Sequence, residues 1–511
     1  VITKFARRGG ALASLALVAA LLAGCSVSIV PLDDSGSSSN LDGVPENLKD
    51  LYGQDLKWKT CEGDLECATA TAPINWDEPD GDTIELAMVR HPASDGKPMG
   101  SLFVNPGGPG GSGYDFVVNG VDGGQFGDAL VENYDIVGFD PRGVNNSTPV
   151  SCYDDQQMDE FLFGISTEKT GTDAWLAEMR ESAKDFGDAC LENTGALLEF
   201  VDTVSAAKDL DLMRALVGDE KLNYLGYSYG TFLGAHYAEL FPENVGRLVL
   251  DGAIDPSVSN FEVVKTQTVG FENAMRAYLE DCLAKKGCPF TGTVDEAMAT
   301  VASLLDSVEQ RPLTASDGRK LGSGALLTAI IFPLYSQDMW SYLTTMFEDV
   351  MAGNADYAFL LADSYYGRGE DGYLDNSFES FFAINCLDYE YNDDDAKMKE
   401  EAAELAAAAP TLGRFQGYGD IGCAEWPFKN RTPREPIHAE GAAPILVIGT
   451  TNDPATPYEW AVSLADQLDS GILVTYEGEG HTAYSPSNTC VAAIVEDYFV
   501  EDAVPSGSPT C

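Results

Sequence analysis

Positive charge is what this 511-residue chain has least of: 30 Lys and Arg stand against 82 Asp and Glu, for a formal net charge of −52. Such a balance repels phosphate backbones and anionic headgroups, so nucleic acid is excluded as a partner, as is electrostatic adhesion to a lipid surface. The acids are spread along the chain, with local clusters at Asp393-Asp394-Asp395 and Glu400-Glu401, and read as a solvated surface. Histidine is scarcer still, with only 4, and no Cys-x-x-Cys pair occurs. Scattered histidines without paired cysteines offer no zinc spacing, so neither a metal nor another cofactor is expected.

What is present begins at the N-terminus. Lys4, Arg7 and Arg8 precede an apolar run from Ala11 to Ala23 that is too short to span a bilayer as a stable anchor. It ends in Leu22-Ala23-Gly24-Cys25, which resembles the lipobox of bacterial lipoproteins, where the cysteine is acylated and becomes the first mature residue. The expectation is an exported protein held by lipid on Cys25 at the outer face of the membrane. Removing Cys25 from the 11 cysteines leaves an even set: Cys61, Cys67, Cys152, Cys190, Cys282, Cys288, Cys386, Cys423, Cys490 and Cys511. Short gaps such as Cys61 to Cys67 and Cys282 to Cys288 suggest pairing between sequence neighbours, as five bridges in an oxidising compartment.

The chemistry centres on Gly226-Tyr227-Ser228-Tyr229-Gly230, set between a strand-like run (Lys221 to Leu225) and a helix-like one (Thr231 to Phe241). That context is the one a nucleophile elbow requires: the serine occupies a strained strand-to-helix corner, and flanking glycines remove side chains that would collide there. Downstream, the buried-strand run Pro444 to Gly449 leads into Asp453-Pro454-Ala455-Thr456-Pro457, and the run Ile472 to Tyr476 leads into His481. The order Ser228, Asp453, His481 is the serine, acid, histidine order of α/β-hydrolases and not that of the chymotrypsin or subtilisin types. His481 is then the general base and Asp453 the group that orients and stabilises its imidazolium. Taken singly, an Asp-Pro after a strand is a turn residue and a Gly-His a loop residue; it is their order at strand ends that points to a triad. His91, His236 and His438 read as packing or linker residues.

Acyl transfer also needs oxyanion donors. The stretch Ser101 to Asn105 runs into Pro106-Gly107-Gly108-Pro109-Gly110-Gly111-Ser112-Gly113, a glycine-rich loop where the first donor of an α/β-hydrolase is expected. The hole is assigned to the N–H groups of Tyr229 and Gly108, with Gly107 as the alternative. A phosphate-binding loop fails on detail, since no Lys-Ser/Thr follows and the spacing is not Gly-x-Gly-x-x-Gly. Thr456, three residues after the acid, is a candidate to hold the Asp453 carboxylate in line with the imidazole; turn capping is the competing role.

These stretches, with Phe139-Asp-Pro-Arg-Gly143 and Leu250-Asp-Gly-Ala-Ile-Asp-Pro256, make the chain similar to a known family from about Trp58 to Cys511. It resembles the secreted tripeptidyl aminopeptidases of actinobacteria, relatives of the prolyl aminopeptidases, together with mycobacterial cell-envelope carboxylesterases and serine proteases. The family's nucleophile, acid and base fall on Ser228, Asp453 and His481. Where prolyl aminopeptidases open the oxyanion loop with a histidine, this chain has Pro106.

The wide gap between Ser228 and Asp453 is helix-rich. Thr293-Val-Asp-Glu296 is a capping box, followed by Ala297, Val301, Leu304, Leu305 and Val308 at helical spacing; Trp340, Leu343, Phe347 and Val350 form a second stripe. The expected fold is therefore an α/β-hydrolase with a mostly helical cap inserted between nucleophile and acid: signal 1–24, tether 25–45, core 46–258, cap 259–437, core 438–511. Serine triads cleave esters and amides alike. The resemblance implies removal of short peptides from free N-termini, with envelope esters the alternative and a non-catalytic binding lipoprotein disfavoured by an intact triad. An exopeptidase needs a carboxylate for the substrate ammonium, and Asp388, in the aromatic and acidic stretch Phe381 to Glu390, is the candidate.

Overall fold

The computed structural model describes residue 41 and residues 43–511, so the signal segment, Cys25 and nearly all of the tether lie outside it. A single nine-stranded sheet organises the rest, built from β1 (Lys59–Thr60), β2 (Glu66–Pro73), β3 (Thr83–His91), β4 (Ser101–Asn105), β5 (Asp135–Phe139), β6 (Leu222–Tyr227), β7 (Val245–Asp251), β8 (Ile445–Asn452) and β9 (Gly471–Glu479). The spatial order is β1-β2-β3-β5-β4-β6-β7-β8-β9. The first three strands pair antiparallel, as do β3 and β5, and every pair from β5 through β9 is parallel. The helices of nine residues or more are α1 (Gly113–Gly123), α2 (Asp155–Phe163), α3 (Asp173–Thr194), α4 (Thr203–Leu216), α5 (Tyr229–Leu240), α6 (Asn260–Leu283), α7 (Val294–Gln310), α8 (Ser323–Leu334), α9 (Trp340–Met351), α10 (Asp356–Tyr365), α11 (Ser377–Asp388), α12 (Asp395–Ala408), α13 (Tyr458–Gln467) and α14 (Thr489–Glu501).

The central strands are mostly apolar because both sheet faces are covered. Phe103, Tyr224, Leu250 and Val447 face a core shared with α4 and α5, while Val104, Leu225, Val249 and Leu446 face one shared with α1 and α14, the alternation a strand imposes. The Phe139-Asp-Pro-Arg-Gly143 stretch is structural. Arg142 is fully buried, with Nε and Nη2 on the two Asp209 oxygens at 2.6 Å each and its other N–H groups on the carbonyls of Pro73, Ile74 and Phe200. Asp140 accepts from the Ser112 hydroxyl at 2.6 Å and from the Tyr114 N–H at 3.1 Å, tying β5 to the start of α1.

Between β7 and β8 the chain is mostly helical. Helix α7 opens with the expected Thr293/Glu296 capping box, and Ala297, Val301, Leu305 and Val308 are buried with Leu343, Phe347 and Val350 of α9. The insertion does not pack as one body, however. Helices α6 to α10 share a separate core that also takes in Phe163 of α2, whereas Ala383, Ile384 and Leu387 of α11 join the core beneath the sheet. Five disulfides join sequence neighbours: Cys61–Cys67, Cys152–Cys190, Cys282–Cys288, Cys386–Cys423 and Cys490–Cys511. No helix among the described residues is long and apolar enough to cross a membrane.

Candidate active site

Strand register brings the singled-out residues to one edge. Asn105 of β4 is opposite Gly226 of β6, Tyr227 is opposite Asp251 of β7, Ile448 of β8 pairs the same Asp251, and Asn452 is opposite Glu479 of β9. The residues that follow each strand therefore meet at the carboxyl ends of parallel strands, where open α/β sheets form their clefts.

At the end of β6, Ser228 adopts φ 54° and ψ −122°, a conformation an L-residue holds only when its surroundings enforce it. The surroundings are explicit. The Ser228 N–H donates to the Asp251 carbonyl at 2.9 Å, and the Ser228 carbonyl accepts from the Thr231 N–H at 2.9 Å and its hydroxyl at 2.6 Å. A Cβ on Gly226 would stand 2.5 Å from the Gly230 carbonyl, and one on Gly230 would stand 2.7 Å from the Asn105 carbonyl, so neither position admits a side chain.

His481 Nδ1 lies 2.9 Å from each Asp453 oxygen. Asp453 is buried and also accepts from the N–H groups of Ala455 (2.9 Å), Thr456 (2.8 Å) and Thr482 (3.1 Å). The Thr456 hydroxyl donates to Asp453 Oδ2 at 2.9 Å and turns its lone pairs to His481 Nδ1 at 3.2 Å, so the expected contact with acid and base is present. Burial works against a charged imidazole, but the Asp453 carboxylate and the more distant Asp251 outweigh it, and His481 titrates above its ordinary value. The ring adjoins the elbow: a Cβ on Gly252 would stand 3.3 Å from His481 Cε1, while the preceding carbonyl, that of Asp251, holds the Ser228 N–H. The Ser228 hydroxyl makes no hydrogen bond among the described residues; without substrate such contacts are often long and close in the complex.

The oxyanion loop lies directly on the elbow. A Cβ on Gly107 would approach Ser228 Cβ to 2.9 Å and the Tyr229 nitrogen to 3.0 Å. The Gly107 N–H is already spent on Asn105 Oδ1 at 3.0 Å, which removes Gly107 as the alternative donor. Gly108 and Tyr229 have no acceptor for their N–H groups among the described residues; Tyr229 opens α5, where a helix leaves its first donors free and its dipole favours an anion. This arrangement can take a proton from a hydroxyl, hold the resulting imidazolium and receive an oxyanion.

Known proteins are similar to this one along nearly the whole chain. Serine protease Hip1 of Mycobacterium tuberculosis (strain ATCC 25618 / H37Rv) is 34% identical over 520 residues, spanning 98% of this chain and 96% of the relative. The chain belongs to the tripeptidyl aminopeptidase-like family of serine hydrolases. Carboxylesterase B of the same strain is 34% identical over 87% of this chain and 86% of its own, and the tripeptidyl aminopeptidase of Streptomyces lividans is 29% identical over 89% and 86%. A family model described as TAP-like protein matches residues 409–511, the part that holds Asp453 and His481. The fold is that of an α/β-hydrolase, and the protein is a serine hydrolase.

For this family member, two sequence readings change. Asp388 is not an open carboxylate: it is 8% exposed, and its oxygens accept from the Thr203 N–H at 2.9 Å and the Thr203 hydroxyl at 2.6 Å. Burial pushes its carboxyl up to about 7, and the Thr203 hydroxyl in turn meets the Tyr229 phenol. It ties α11 to the start of α4, because a carboxylate at the end of a mostly apolar helix is carried inward with that helix. The second change is a residue sequence reasoning passed over. Asp251, fully buried at the end of β7, accepts from Ala483 N–H at 3.0 Å and Tyr484 N–H at 2.7 Å, which pins the loop after His481. Burial raises its carboxyl to about 6. Its signal in the sequence is the Leu250-Asp251-Gly252 stretch. The other histidines stay outside the site: His236 sits in α5 against Phe232, its pKa lowered by burial to about 4, His91 closes β3, and His438 precedes β8.

Proposed function

We propose that the protein is an exported serine aminopeptidase that releases short peptides, tripeptides among them, from free N-termini. Ser228 Oγ attacks the scissile carbonyl while its proton passes to His481 Nε2. The tetrahedral oxyanion is held by the N–H groups of Gly108 and Tyr229, and Asp453 stabilises the imidazolium. Collapse expels the amine, which takes the proton from His481. Water, deprotonated by the same imidazole, then cleaves the acyl-enzyme and restores Ser228. The observation that carries the acyl-enzyme chemistry is the His481 Nδ1 contact at 2.9 Å to both oxygens of a buried Asp453, beside a serine held at φ 54°.

The peptide preference rests on the relatives named as a serine protease and a tripeptidyl aminopeptidase. Ester hydrolysis is the second reading, favoured by the equal 34% identity to Carboxylesterase B. A free-amine tripeptide amide, its N-acylated form and a short-chain ester, offered to one purified sample, separate the two. The peptidase reading expects the free amine to exceed the acylated form by at least about tenfold in kcat/KM. Equal rates on the two amides, with the ester fastest, replace it by the esterase. Ser228→Ala should lose both hydrolysis and labelling by a phosphonate probe.

We further propose that lipid on Cys25 holds the enzyme at the outer face of the cell membrane, a reading supported by the Leu22 to Cys25 stretch and by five bridges that suit an oxidising compartment. Cys25→Ala should release the protein into the medium or leave it uncut. A mature N-terminus without an acyl group in mass spectrometry refutes the anchor.

A further inference from the structure

The acid and the base are each touched from outside the sheet. Over the acid turn lies α6: Gln267 Nε2 donates to the Ala455 carbonyl at 2.7 Å, and a Cβ on Gly270 would stand 2.6 Å from the Pro454 carbonyl. Ala455 is itself buried in the core that α6 to α10 share, although it belongs to the Asp453 turn. Over the base lies the end of α8. Tyr335, its C-cap residue, accepts the His481 N–H on its carbonyl at 2.8 Å and sets its ring edge-on to the imidazole at 5.4 Å and 81°. A Cβ on Gly480 would stand 3.1 Å from that same carbonyl. The two helices support one another, with Phe271 of α6 against the Tyr335 ring at 5.4 Å.

Resting on the triad assigned above, we infer that the helical insertion is a fixed part of the catalytic apparatus, in which Gln267 and Gly270 position the acid turn and Tyr335 positions the base. The physical reasons differ on the two sides. A carboxylate held by its own turn keeps its direction only while that turn keeps its place, and the Gln267 bond with the close Gly270 backbone contact fixes it from above. At the base, the last carbonyls of a helix have no intrahelical donor, so the Tyr335 carbonyl is free to take the His481 N–H. The same helix end carries the negative pole of its dipole, which favours the imidazolium that forms as Ser228 attacks. An insertion that swung away would release both groups.

Gly270→Ala and Gln267→Met test the acid side, and Tyr335→Leu against Tyr335→Phe tests the base side. Rates are taken per active site, titrated with the phosphonate probe, so misfolded molecules drop out. Gly270→Ala should lower kcat by about tenfold to a hundredfold with KM within about twofold. Gln267→Met should lower it less, and both should move the acid limb of the kcat/KM profile to lower pH, since an acid held less firmly supports the imidazolium less. Tyr335→Leu should lower kcat and Tyr335→Phe should restore it, because the ring and not the phenol faces the imidazole. Wild-type kcat per titrated site and an unmoved acid limb in Gly270→Ala and Gln267→Met overturn the inference, as does a loss seen only in the titratable fraction. If Ser228→Ala retains hydrolysis and labelling, it is the triad reading that fails, and the two failures are thereby told apart.

Discussion

The strand edge and the helical insertion hold the same catalytic groups by different means. On the edge, side chains share the holding with the turns' own N–H groups: the Thr456 hydroxyl on Asp453 at 2.9 Å, the Asp251 carboxylate on the N–H groups after His481, and Asn105 on the oxyanion loop at 3.0 Å. On the insertion side, apart from the Gln267 amide and the Tyr335 ring, the contacts run through backbone: the Tyr335 carbonyl, and missing side chains at Gly270 and at Gly110, where a Cβ would meet the Ser377 carbonyl at 2.5 Å. Side-chain holders are chemically legible and tunable by substitution. Backbone holders depend on shape alone, and are broken only by adding atoms or removing a helix.

The edge should therefore yield the largest losses to single conservative changes. Asp453→Asn keeps the volume but removes the charge and disturbs the imidazole tautomer, and should cost about 10⁴-fold in kcat in a folded protein; a loss below about tenfold would mean another carboxylate has taken its place. Asp251, on the neighbouring strand, is the group to examine in that event. Thr456→Val removes a hydroxyl that touches both acid and base, and should lower kcat by about tenfold with KM little changed. Unchanged kcat would return Thr456 to a turn cap.

Asp251→Asn sharpens the comparison through pH. Its negative charge raises the pKa of His481, together with that of Asp453. Since catalysis needs the neutral imidazole, loss of that charge should shift the acid limb of kcat/KM to lower pH, with a kcat loss of a few-fold, about 1 kcal/mol at most. An acid limb that stays in place shows that Asp251 acts on the loop alone.

The smallest functional effect belongs to the insertion's own carboxylate. Asp388→Asn should leave KM for a free-amine tripeptide within about twofold, since its oxygens already serve Thr203. Stability should respond instead. With a folded pKa of about 7 above an unfolded value of about 3.9, the protonated carboxyl stabilises the fold in acid, and that contribution fades as pH rises through about 7. The asparagine variant, which cannot ionise, should therefore gain in melting temperature over wild type as pH climbs from about 4 to 7. A large rise in KM would restore Asp388 to the substrate.

Residue type and spacing were enough for the local devices. Gly226 and Gly230 around Ser228, the Thr293/Glu296 capping box and the apolar strands before Asp453 and His481 all act within a few residues, where steric and hydrogen-bond rules are set by neighbours in the chain. The order of triad residues carried the fold for the same reason, since each follows its own strand. What depends on distant partners was set by how the folded chain packs. Whether a carboxylate is open or buried turns on which helix carries it, and Asp388 is drawn inward by α11 while Asp251 is enclosed by the His481 loop. That the insertion reaches the catalytic residues through the Tyr335 carbonyl and the bare Gly270 backbone left no trace in residue type, because every residue has a carbonyl, and a glycine's missing Cβ acquires meaning only when another segment fills its space.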